Sequence, residues 1–276
     1  MKLLSWNING IRSVNNKNVL GDKIKNNEPP ILSVLINQSQ ADIICLQEVK
    51  CSAENVKEFD LYKDTYPHIF LNCSKARKGY SGVAILSKEK PLNVYYEYEL
   101  LGDGEMYDFL QEGRLITLEY ETIFVVCCYT PNSKTKLERL EQRINVWEPL
   151  FRRYIQFLQR KKSIVLCGDL NVAHTDLDIH SAKGHTRSAG FTKEERAAFS
   201  SLLEECNLID TFRDMYPKEK KYTYFSNFAK SRERNKGWRI DYTLVSKKIK
   251  NKIKQSEICS EIVGSDHVPI MVEMEL

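Results

Sequence analysis

Polar residues of a few types recur at one place in the local pattern, where an apolar, strand-like run ends. Trp6-Asn7-Ile8-Asn9-Gly10 closes the first such run, and Gly168-Asp169-Leu170-Asn171 closes a run of Ile, Val, Leu and Cys. Rigid scaffolds present catalytic groups on loops at the ends of packed strands. The residues at such ends that could carry chemistry are Asn7, Asn9, Glu48, Tyr129, Asp169 and Asn171. Asp241 begins a later strand-like run, and Asp266 and His267 precede the last one.

These side chains together suit metal-assisted hydrolysis of a phosphodiester. Mg²⁺ is held by one or two carboxylates and keeps several waters, so few protein ligands suffice. A carboxylate can deprotonate water, amides can hold that carboxylate in place, and a His or Tyr can donate to phosphate oxygens. The chain has no nucleophile elbow around a Ser or Cys.

Each cluster taken alone also has a plain structural interpretation. Asn, Asp and Gly at strand ends form turns, and Asn-x-Asn-Gly is a common turn sequence. Glu48 beside Lys50 can be an exposed ion pair of little energetic value, and Asp266-His267 can cap a loop. The catalytic interpretation therefore depends on the clusters meeting in space.

Two kinds of element must position these residues. Apolar runs predict strands at Lys2–Ile8, Asp42–Gln47, Ser81–Ser87, Leu115–Tyr120, Ile123–Tyr129, Ser163–Gly168, Ile240–Ser246 and Val268–Glu275. Helices are predicted at Pro30–Gln40, Lys136–Gln159 with an interruption before Pro149, and Lys193–Cys206, where Thr192 and Glu195 match a capping box. The very short link between the fourth and fifth strands predicts an antiparallel hairpin. Helices interleaved with hairpins indicate sheets covered by helices in a single α/β domain over residues 1–276.

Composition and charge narrow the class of protein. The 276 residues include 42% hydrophobic and 28% charged residues, which is typical of a folded domain and excludes disordered and collagen-like chains. No apolar run reaches membrane-spanning length, and no signal or transit segment is recognised, so we expect a reduced, intracellular protein without membrane contact. Four of the eight cysteines lie inside apolar runs.

The charge distribution is uneven although the net charge is only +4. Residues 218–254 contain 13 Lys or Arg against 3 acidic residues, so the remainder of the chain is net acidic. This asymmetry favours a polyanionic partner such as nucleic acid. A solvated basic surface is the alternative.

Seven motifs occur in the order found in a known family: Trp-Asn-Ile-Asn-Gly (6–10), Leu-Gln-Glu-Val-Lys (46–50), Lys-Gly-Tyr-Ser-Gly-Val-Ala (78–84), Tyr-Thr-Pro-Asn (129–132), Cys-Gly-Asp-Leu-Asn-Val-Ala-His (167–174), Gly-Trp-Arg-Ile-Asp-Tyr (237–242) and Gly-Ser-Asp-His-Val-Pro-Ile (264–270). Over essentially its whole length the chain resembles the exonuclease III type of apurinic/apyrimidinic endonuclease, in the endonuclease/exonuclease/phosphatase superfamily. The resemblance implies a four-layer α/β sandwich, with two mixed β-sheets flanked by helices. It also implies incision of double-stranded DNA 5′ to an abasic site, leaving a 3′-hydroxyl, and allows 3′–5′ exonuclease or 3′-phosphodiesterase activity.

The resemblance also implies roles for the polar residues. Glu48 resembles the principal ligand of Mg²⁺ (or Mn²⁺ as a substitute), assisted by Asn9 or Asp266. Asp169 resembles the residue that activates water, and Asn7 the amide that orients Glu48. Phosphate or water contacts fall to Tyr129, Asn171 and His267, with Asp241 holding the imidazole; Asp169, Asn171 and His267 are further candidate metal ligands.

Substrate recognition is implied for a second set of residues. Tyr224, Trp238 and Ile240 occupy the positions of the family's pocket for a base-less sugar, although core packing is the alternative for this trio. Arg77, Lys78 and Arg187, with the basic residues of 218–254, would follow the DNA phosphates, while Lys247 to Lys254 could equally form a solvated surface.

Two departures from the family pattern stand out. Asn9 replaces an Asp found in a number of members, and Thr135 lies where some relatives place an Arg that wedges into DNA. The rival enzymatic interpretation is another Mg-dependent phosphoesterase of the superfamily: an inositol-phosphate phosphatase, a sphingomyelinase or a general nuclease. The non-enzymatic rival is a DNA-binding relative that has lost its activity. Such a relative would lack a catalytic carboxylate or the histidine, whereas this chain keeps all of them. We expect a monomer that meets other base-excision repair proteins, in the cytoplasm of a prokaryote or the nucleus of a eukaryote.

Overall fold

Two six-stranded β-sheets form the centre of the protein. The computed structural model describes residues 1–25, 27–101 and 111–276, without the side chains of 53–55. In chain order its strands are β1 (Lys2–Asn7), β2 (Ile43–Gln47), β3 (His68–Asn72), β4 (Val83–Ser87), β5 (Asn93–Tyr96), β6 (Leu115–Glu119), β7 (Ile123–Tyr129), β8 (Ser163–Asp169), β9 (Leu208–Asp210), β10 (Asp241–Ser246), β11 (Ile253–Ile258) and β12 (Ile270–Met274). The first sheet has the order β11-β12-β1-β2-β4-β3, and the second has the order β5-β6-β7-β8-β10-β9.

Helices cover the outer faces of both sheets. They are α1 (Ile11–Asn15), α2 (Ile31–Ser39), α3 (Leu140–Gln142), α4 (Glu148–Gln159), α5 (Lys193–Glu205) and α6 (Thr211–Met215), with short 3₁₀ helices at Ala53–Tyr62, Glu99–Leu101, Asp176–Asp178, Phe228–Lys230 and Lys247–Lys252. None of the helices in the described ranges combines the length and apolarity that a membrane crossing requires.

Three apolar clusters separate the four layers. One cluster, which includes Ile85, Cys127 and Val165, fills the space between the sheets. The other two pack α1 and α2 against the first sheet and α4 and α5 against the second. The predicted four-layer α/β sandwich with two mixed sheets is therefore confirmed, and all eight cysteines are free thiols.

Each sheet contains one parallel pair, and these pairs position the polar residues. β1 runs parallel to β2 and β7 runs parallel to β8, so Asn7 lies beside Gln47 and Tyr129 lies beside Asp169. β10 is antiparallel to β8, which places Asp241 directly opposite Asp169. The carboxyl ends of four strands and the amino end of a fifth consequently meet at one edge of the sandwich.

Gly168 is required for this edge because β7 and β8 approach closely there. Its φ is 139°, and a Cβ atom would lie 1.9 Å from the carbonyl oxygen of Cys128. Only glycine therefore allows β8 to deliver Asp169 beside Tyr129.

The predicted helix at Lys136–Gln159 needs correction. Leu137 has a φ of 62°, a left-handed conformation that interrupts a right-handed helix, and α3 begins only at Leu140. A π-helical turn, Arg143–Trp147, then joins α3 to α4. Pro149 lies at the start of α4, where its missing N–H leaves a carbonyl of the preceding turn without its usual donor. The predicted interruption is therefore real, and it takes the form of a widened turn.

Other boundaries differ by a few residues, and some strands have weak patterns. The predicted strand at Val268–Glu275 is β12, Ile270–Met274, because the backbone N–H of Val268 instead donates to Thr223. The pattern did not indicate β3, β5, β9 and β11, which are short or only partly buried. The predicted hairpin is confirmed as β6 and β7, and the capping box of Thr192 and Glu195 starts α5.

Candidate active site

The amide of Asn7 joins the two sheets at the catalytic edge. Its Nδ2 donates to Glu48 Oε1 at 3.0 Å and to Asp169 Oδ2 at 2.9 Å. Asn7 is fully buried at the end of β1, where it follows Trp6 in the core. Glu48 follows β2 in the first sheet and Asp169 ends β8 in the second. One side chain therefore fixes the separation of two carboxylates from distant parts of the chain.

A second group lies on the Glu48 side of the site. The Lys50 ammonium is 2.9 Å from Glu48 Oε2 and also hydrogen bonds to Asn9 Oδ1. Asn9 Nδ2 in turn donates to Asp266 Oδ1 at 3.0 Å. Burial would raise the pKa of Glu48, but Lys50 and the amide of Asn7 outweigh it and hold that pKa below the usual range. Glu48 is therefore a carboxylate at neutral pH.

Asp169 and Asn171 form a tight turn after β8. The backbone N–H of Asn171 donates to Asp169 Oδ1 at 2.9 Å, and Asn132 Nδ2 donates to Asn171 Oδ1 at 2.8 Å. Below the turn, the buried guanidinium of Arg143 donates to the carbonyls of Leu170 and Asn171, both at 2.8 Å. The π-helical turn thus places an arginine where it anchors the loop that carries Asp169.

Arg143 is itself held by two buried carboxylates. Its guanidinium is 3.1 Å from Glu148 Oε1 and 3.0 Å from Glu195 Oε1. All three side chains are buried, with exposed fractions of 7% or less. Neither Arg143 nor the contact of Glu195 beneath the site was indicated by the sequence, because both depend on partners far along the chain.

His267 and Asp241 form a buried pair facing Asp169. His267 Nδ1 lies 2.8 Å from Asp241 Oδ2, and His267 Nε2 lies 3.9 Å from Asp169 Oδ2. Burial alone would lower the pKa of His267, but Asp241 and then Asp169 raise it to about 10. The imidazole is therefore protonated at neutral pH, with Nδ1 bonded to Asp241 and Nε2 directed towards Asp169.

The pKa of Asp169, unlike that of Glu48, lies above the usual range of a carboxyl group. Burial and the negative charge of Asp241 raise its pKa to about 7, although His267 acts against this shift. A carboxyl with a pKa near neutrality is suited to accepting a proton at physiological pH. Asp169 is less than 2% exposed by surface area, so bulk water does not screen these effects.

The two carboxylates of this cluster have the chemistry of cation ligands, whereas a protonated His267 has no free nitrogen to offer. Ligand atoms of Asp169, Asp241 and His267 lie within 4.8 Å of one another. Asp241 Oδ1 is buried and accepts no hydrogen bond from the described residues. Hard divalent cations bind such carboxylate oxygens. Asn9, Glu48 and Asp266 offer further oxygens, but they do not belong to this tight group.

Tyr129 forms the floor between the two carboxylates. The guanidinium carbon of Arg114 lies 4.6 Å from its ring centroid, and Arg114 Nη1 donates to its carbonyl at 3.0 Å. Burial, and next the negative charge of Glu48, raise the pKa of the Tyr129 phenol well above its usual range. The phenol is therefore a neutral hydrogen-bond donor. Arg114 is a supporting residue without a sequence signal.

A cavity of about 550 Å³ opens beside these groups. Its lining includes Glu48, Tyr129, Asp169, Asn171, Asp266 and His267 together with Tyr224, Trp238, Ile240 and Arg187. The ring of Tyr224 lies 4.9 Å from that of His267, centroid to centroid, at an angle of 51°, and Trp238 pairs with Tyr224 through the backbone. The aromatic trio thus forms a wall of the cavity rather than lying wholly in the core.

Two residues of this wall were not singled out in the sequence. The His185 ring is 5.2 Å from that of Trp238, and His185 Nδ1 is 3.2 Å from the hydroxyl of Ser188. They lie in a polar loop without periodicity, which gave no signal. Arg77 and Lys78, by contrast, are exposed and do not line the cavity, so the structure does not bring them together with the other site residues.

Backbone strain marks the same edge. Asn9, Glu48 and Asn171 have φ values of 49°, 49° and 50°, in the left-handed region that non-glycine residues rarely adopt. Such conformations cluster at functional sites, where the surrounding structure holds them in place. The amide of Asn7 and the anchors around Asn171 supply that support here.

Two mixed sheets with carboxylates, amides and an imidazole gathered at one edge define a class of α/β sandwich with a polar catalytic cavity. The chain belongs to the Endonuclease/Exonuclease/phosphatase family, whose model matches residues 4–267. It is 44% identical over 272 residues to an exodeoxyribonuclease of Bacillus subtilis, covering 98% of each chain. It is 40% identical over 272 residues to the DNA repair nuclease APEX1 of Danio rerio, covering 98% of this chain and 81% of the relative. Among solved structures, an AP endonuclease from Leishmania major superposes with a TM-score of 0.82 at 26% identity, covering 100% of this chain and 87% of that chain. The predicted resemblance is confirmed.

Proposed function

We propose that this protein is a metal-dependent DNA repair endonuclease that hydrolyses the phosphodiester 5′ to an abasic site and leaves a 3′-hydroxyl. The observation that carries the proposal is the meeting of Glu48, Asp169 and the Asp241–His267 pair at the mouth of one cavity. The names of the relatives, a DNA repair nuclease and an AP endonuclease, support the same substrate. We further propose that residues 1–276 act as one catalytic domain.

Asp169 accepts the proton of the attacking water. Its raised pKa and its hydrogen bonds from Asn7 and Asn171 hold it as an oriented base at neutral to mildly alkaline pH. Protonated His267 donates from Nε2 to a phosphate oxygen, while Asp241 fixes its orientation through Nδ1. Tyr129 adds a neutral phenol donor from below. These donors stabilise the negative charge that grows on the phosphate oxygens.

The donor set fits Mg²⁺, with Mn²⁺ as a substitute. Glu48 would be the principal ligand, with Asn9 or Asp266 beside it, and Asp169, Asn171 and His267 face the same space. When bound, the cation would screen the phosphate charge and stabilise the leaving oxygen. Asn9 carries no charge, so this end of the site holds one carboxylate fewer than it would with Asp.

Selection of an abasic site follows from the shape of the cavity wall. Tyr224, Trp238 and Ile240 form an apolar surface next to His267 that accepts a base-less sugar turned out of the helix. A nucleotide that keeps its base is larger than this sugar, so the wall would exclude it by size. Arg187 lies at the rim of the cavity and contacts phosphate, whereas exposed Arg77 and Lys78 contact the duplex outside it.

A 3′–5′ exonuclease activity is the second candidate, favoured by the relative named exodeoxyribonuclease. The same site performs both reactions when a 3′ end, rather than an internal strand, enters the cavity. We propose that the protein acts as a monomer on double-stranded DNA alongside other base-excision repair proteins.

One assay tests the proposal directly. An end-labelled duplex with a single tetrahydrofuran abasic analogue is incubated with the protein in Mg²⁺ and then in EDTA, beside an inositol phosphate as a competing substrate. We expect a single incision 5′ to the analogue in Mg²⁺, none in EDTA, and no release of inorganic phosphate from the inositol phosphate. His267→Ala serves as the catalytic control. Hydrolysis of the inositol phosphate without incision of the duplex would contradict the proposal.

A further inference from the structure

A second charged cleft lies at the opposite end of the second sheet. Its volume is about 1070 Å³, and it is bordered by the end of α4, the start of β8 and the end of β10. The catalytic residues Asp169 and Asp241 occupy the other ends of β8 and β10. Six residue steps along β8 separate Ser163 from Asp169, which corresponds to about 20 Å. We call this feature, lined by residues 156, 159–163, 205, 207 and 246–248, the far-edge cleft.

The far-edge cleft has a large excess of positive charge. Five basic side chains line it, Arg160, Lys161, Lys162, Lys247 and Lys248, against the single carboxylate of Glu205. Glu205 is already paired with Arg152 at 3.1 Å, and Lys162 is paired with Glu119 at 2.8 Å. Within the described ranges, Arg160, Lys161, Lys247 and Lys248 have no acidic partner, and all four are exposed.

The two walls of the cleft are fixed relative to each other. Gln159 Nε2 donates to the hydroxyl of Ser246 at 3.1 Å, and the backbone N–H of Lys247 donates to the carbonyl of Asn207 at 2.9 Å. Arg160 and Lys161 follow Gln159, while Lys247 and Lys248 follow Ser246. These hydrogen bonds therefore hold two pairs of cations on facing walls, at a site where the pairs would otherwise repel.

Stabilisation of the fold explains only one of these pairs. Cations at the end of α4 interact favourably with the helix dipole, which accounts for Arg160 and Lys161. Lys247 and Lys248 lie instead at the start of the 3₁₀ helix Lys247–Lys252, where the dipole disfavours positive charge. Their repulsion is relieved by a polyanion, and amide and hydroxyl groups of the floor can share in binding its phosphates.

We propose that the far-edge cleft binds the phosphate backbone of a second segment of double-stranded DNA while the catalytic cavity holds the first. The inference rests on the proposed DNA substrate. The two sites lie about 20 Å apart, at opposite ends of β8, so the cavity and the cleft can each hold a DNA segment of its own. The protein therefore contacts two DNA segments at once, which would help it pass between neighbouring segments without first being released.

The experiment measures binding of a second duplex. The protein is saturated in EDTA with a short duplex carrying one abasic analogue, and a fluorescent undamaged duplex is then titrated by anisotropy at several salt concentrations. In Lys247→Glu/Lys248→Glu we expect about tenfold weaker binding of the second duplex and a salt slope smaller by about 2, since each lost phosphate contact removes about 0.9. The control Lys57→Glu/Lys90→Glu makes the same charge change at exposed positions outside the cleft.

Several results would overturn the inference. They are no binding of a second duplex to the unchanged protein, an equal loss in both double variants, or no loss in Lys247→Glu/Lys248→Glu. Arg160→Glu/Lys161→Glu on the facing wall should repeat the loss, and thermal unfolding confirms that each variant is folded. Incision of the short abasic duplex should stay within about twofold in Lys247→Glu/Lys248→Glu. Absence of incision by the unchanged protein contradicts the proposed function instead, so the two failures are distinguishable.

Discussion

Replacing the catalytic base should stabilise the fold while it abolishes hydrolysis. Asp169 is buried, faces Asp241 across β8 and β10, and has a pKa raised to about 7. A carboxyl group whose pKa rises on folding binds its proton more tightly in the folded state. Stability is therefore lost as the pH increases from about 4, the unfolded pKa, to about 7. Asp169→Asn removes this ionisation and its cost.

The size of the stabilisation expected in Asp169→Asn follows from the pKa shift of Asp169 and from one lost hydrogen bond. A rise from 3.8 to about 7 corresponds to about 4 kcal/mol of free energy of unfolding at alkaline pH. In the variant, an amide nitrogen placed at Oδ2 would face the donating Nδ2 of Asn7, which costs about 1–3 kcal/mol. The net gain is about 1–3 kcal/mol, or about 2–6 °C in Tm for a chain of this size.

Thermal unfolding in EDTA, followed by calorimetry from about pH 5 to about pH 8, measures this gain. The Tm difference between Asp169→Asn and the unchanged protein should be small or negative at the acidic end and should grow with pH. Asp176→Asn is the control, because Asp176 is exposed and its carboxylate pairs, among the described residues, with Arg196 alone. Binding of an abasic duplex should survive in Asp169→Asn although incision is lost. A variant that is less stable at alkaline pH, or a difference independent of pH, would refute the reasoning.

Three further predictions concern the same site. Glu48→Ala should lower incision, and excess Mg²⁺ or Mn²⁺ should restore part of it. The metal dependence of kcat/KM measures this recovery, and no recovery at any metal concentration would contradict the role of Glu48 as a ligand. The pKa of His267 is raised from 6.5 to about 10, chiefly by Asp241, so the stabilisation from this pair should decline from about pH 6.5 and be lost above about pH 10. Activity should fall as the imidazole loses its proton near pH 10, and His267→Ala should lose turnover at every pH; a variant with normal turnover would exclude the imidazole from the reaction. Arg143→Met leaves Glu148 and Glu195 buried without their partner, so it should lower the free energy of unfolding by about 3–5 kcal/mol in denaturant titrations. A loss below about 1 kcal/mol would show that these two ion pairs are not needed for stability.

The catalytic edge could be predicted largely from the sequence because its residues have a local signature. Asn7, Glu48, Tyr129 and Asp169 each end a continuous apolar run, and parallel strands bring their carboxyl ends to a common edge. The resemblance then related these local signals to one another. Their roles in the reaction stay predictions.

The residues that support the edge could not be predicted in this way. Arg143 and Arg114 act through carbonyl groups and rings far along the chain, and an arginine in a polar stretch looks like a surface residue. His185 is positioned by the ring of Trp238 and not by any periodic pattern. The short strand β9 owes its existence to pairing with β10, not to its own composition.

The basic segment 218–254 illustrates the same limit. Charge counting could not separate residues near the cavity from residues remote from it. Arg232 donates to the carbonyls of Ile262 and Ser265 and so supports the loop before His267. Lys247 and Lys248, only fifteen positions further on in the sequence, lie at the other end of the sheet. β10 runs from the catalytic edge to the opposite edge and so separates these residues, and this direction cannot be predicted from composition.

The amide of Asn7 makes the alignment of the two halves a condition for turnover. Since Glu48 follows a strand of one sheet and Asp169 ends a strand of the other, any sliding of the sheets over each other would move the proposed base Asp169 away from the proposed metal ligand Glu48 by the same amount. The residues that resist such sliding, Ile85, Cys127 and Val165, are out of reach of any substrate. Loss of a methyl group from the core between the sheets would thus slow the reaction by shifting one sheet against the other. Selection for activity, and not only for folding, would therefore act on these buried residues.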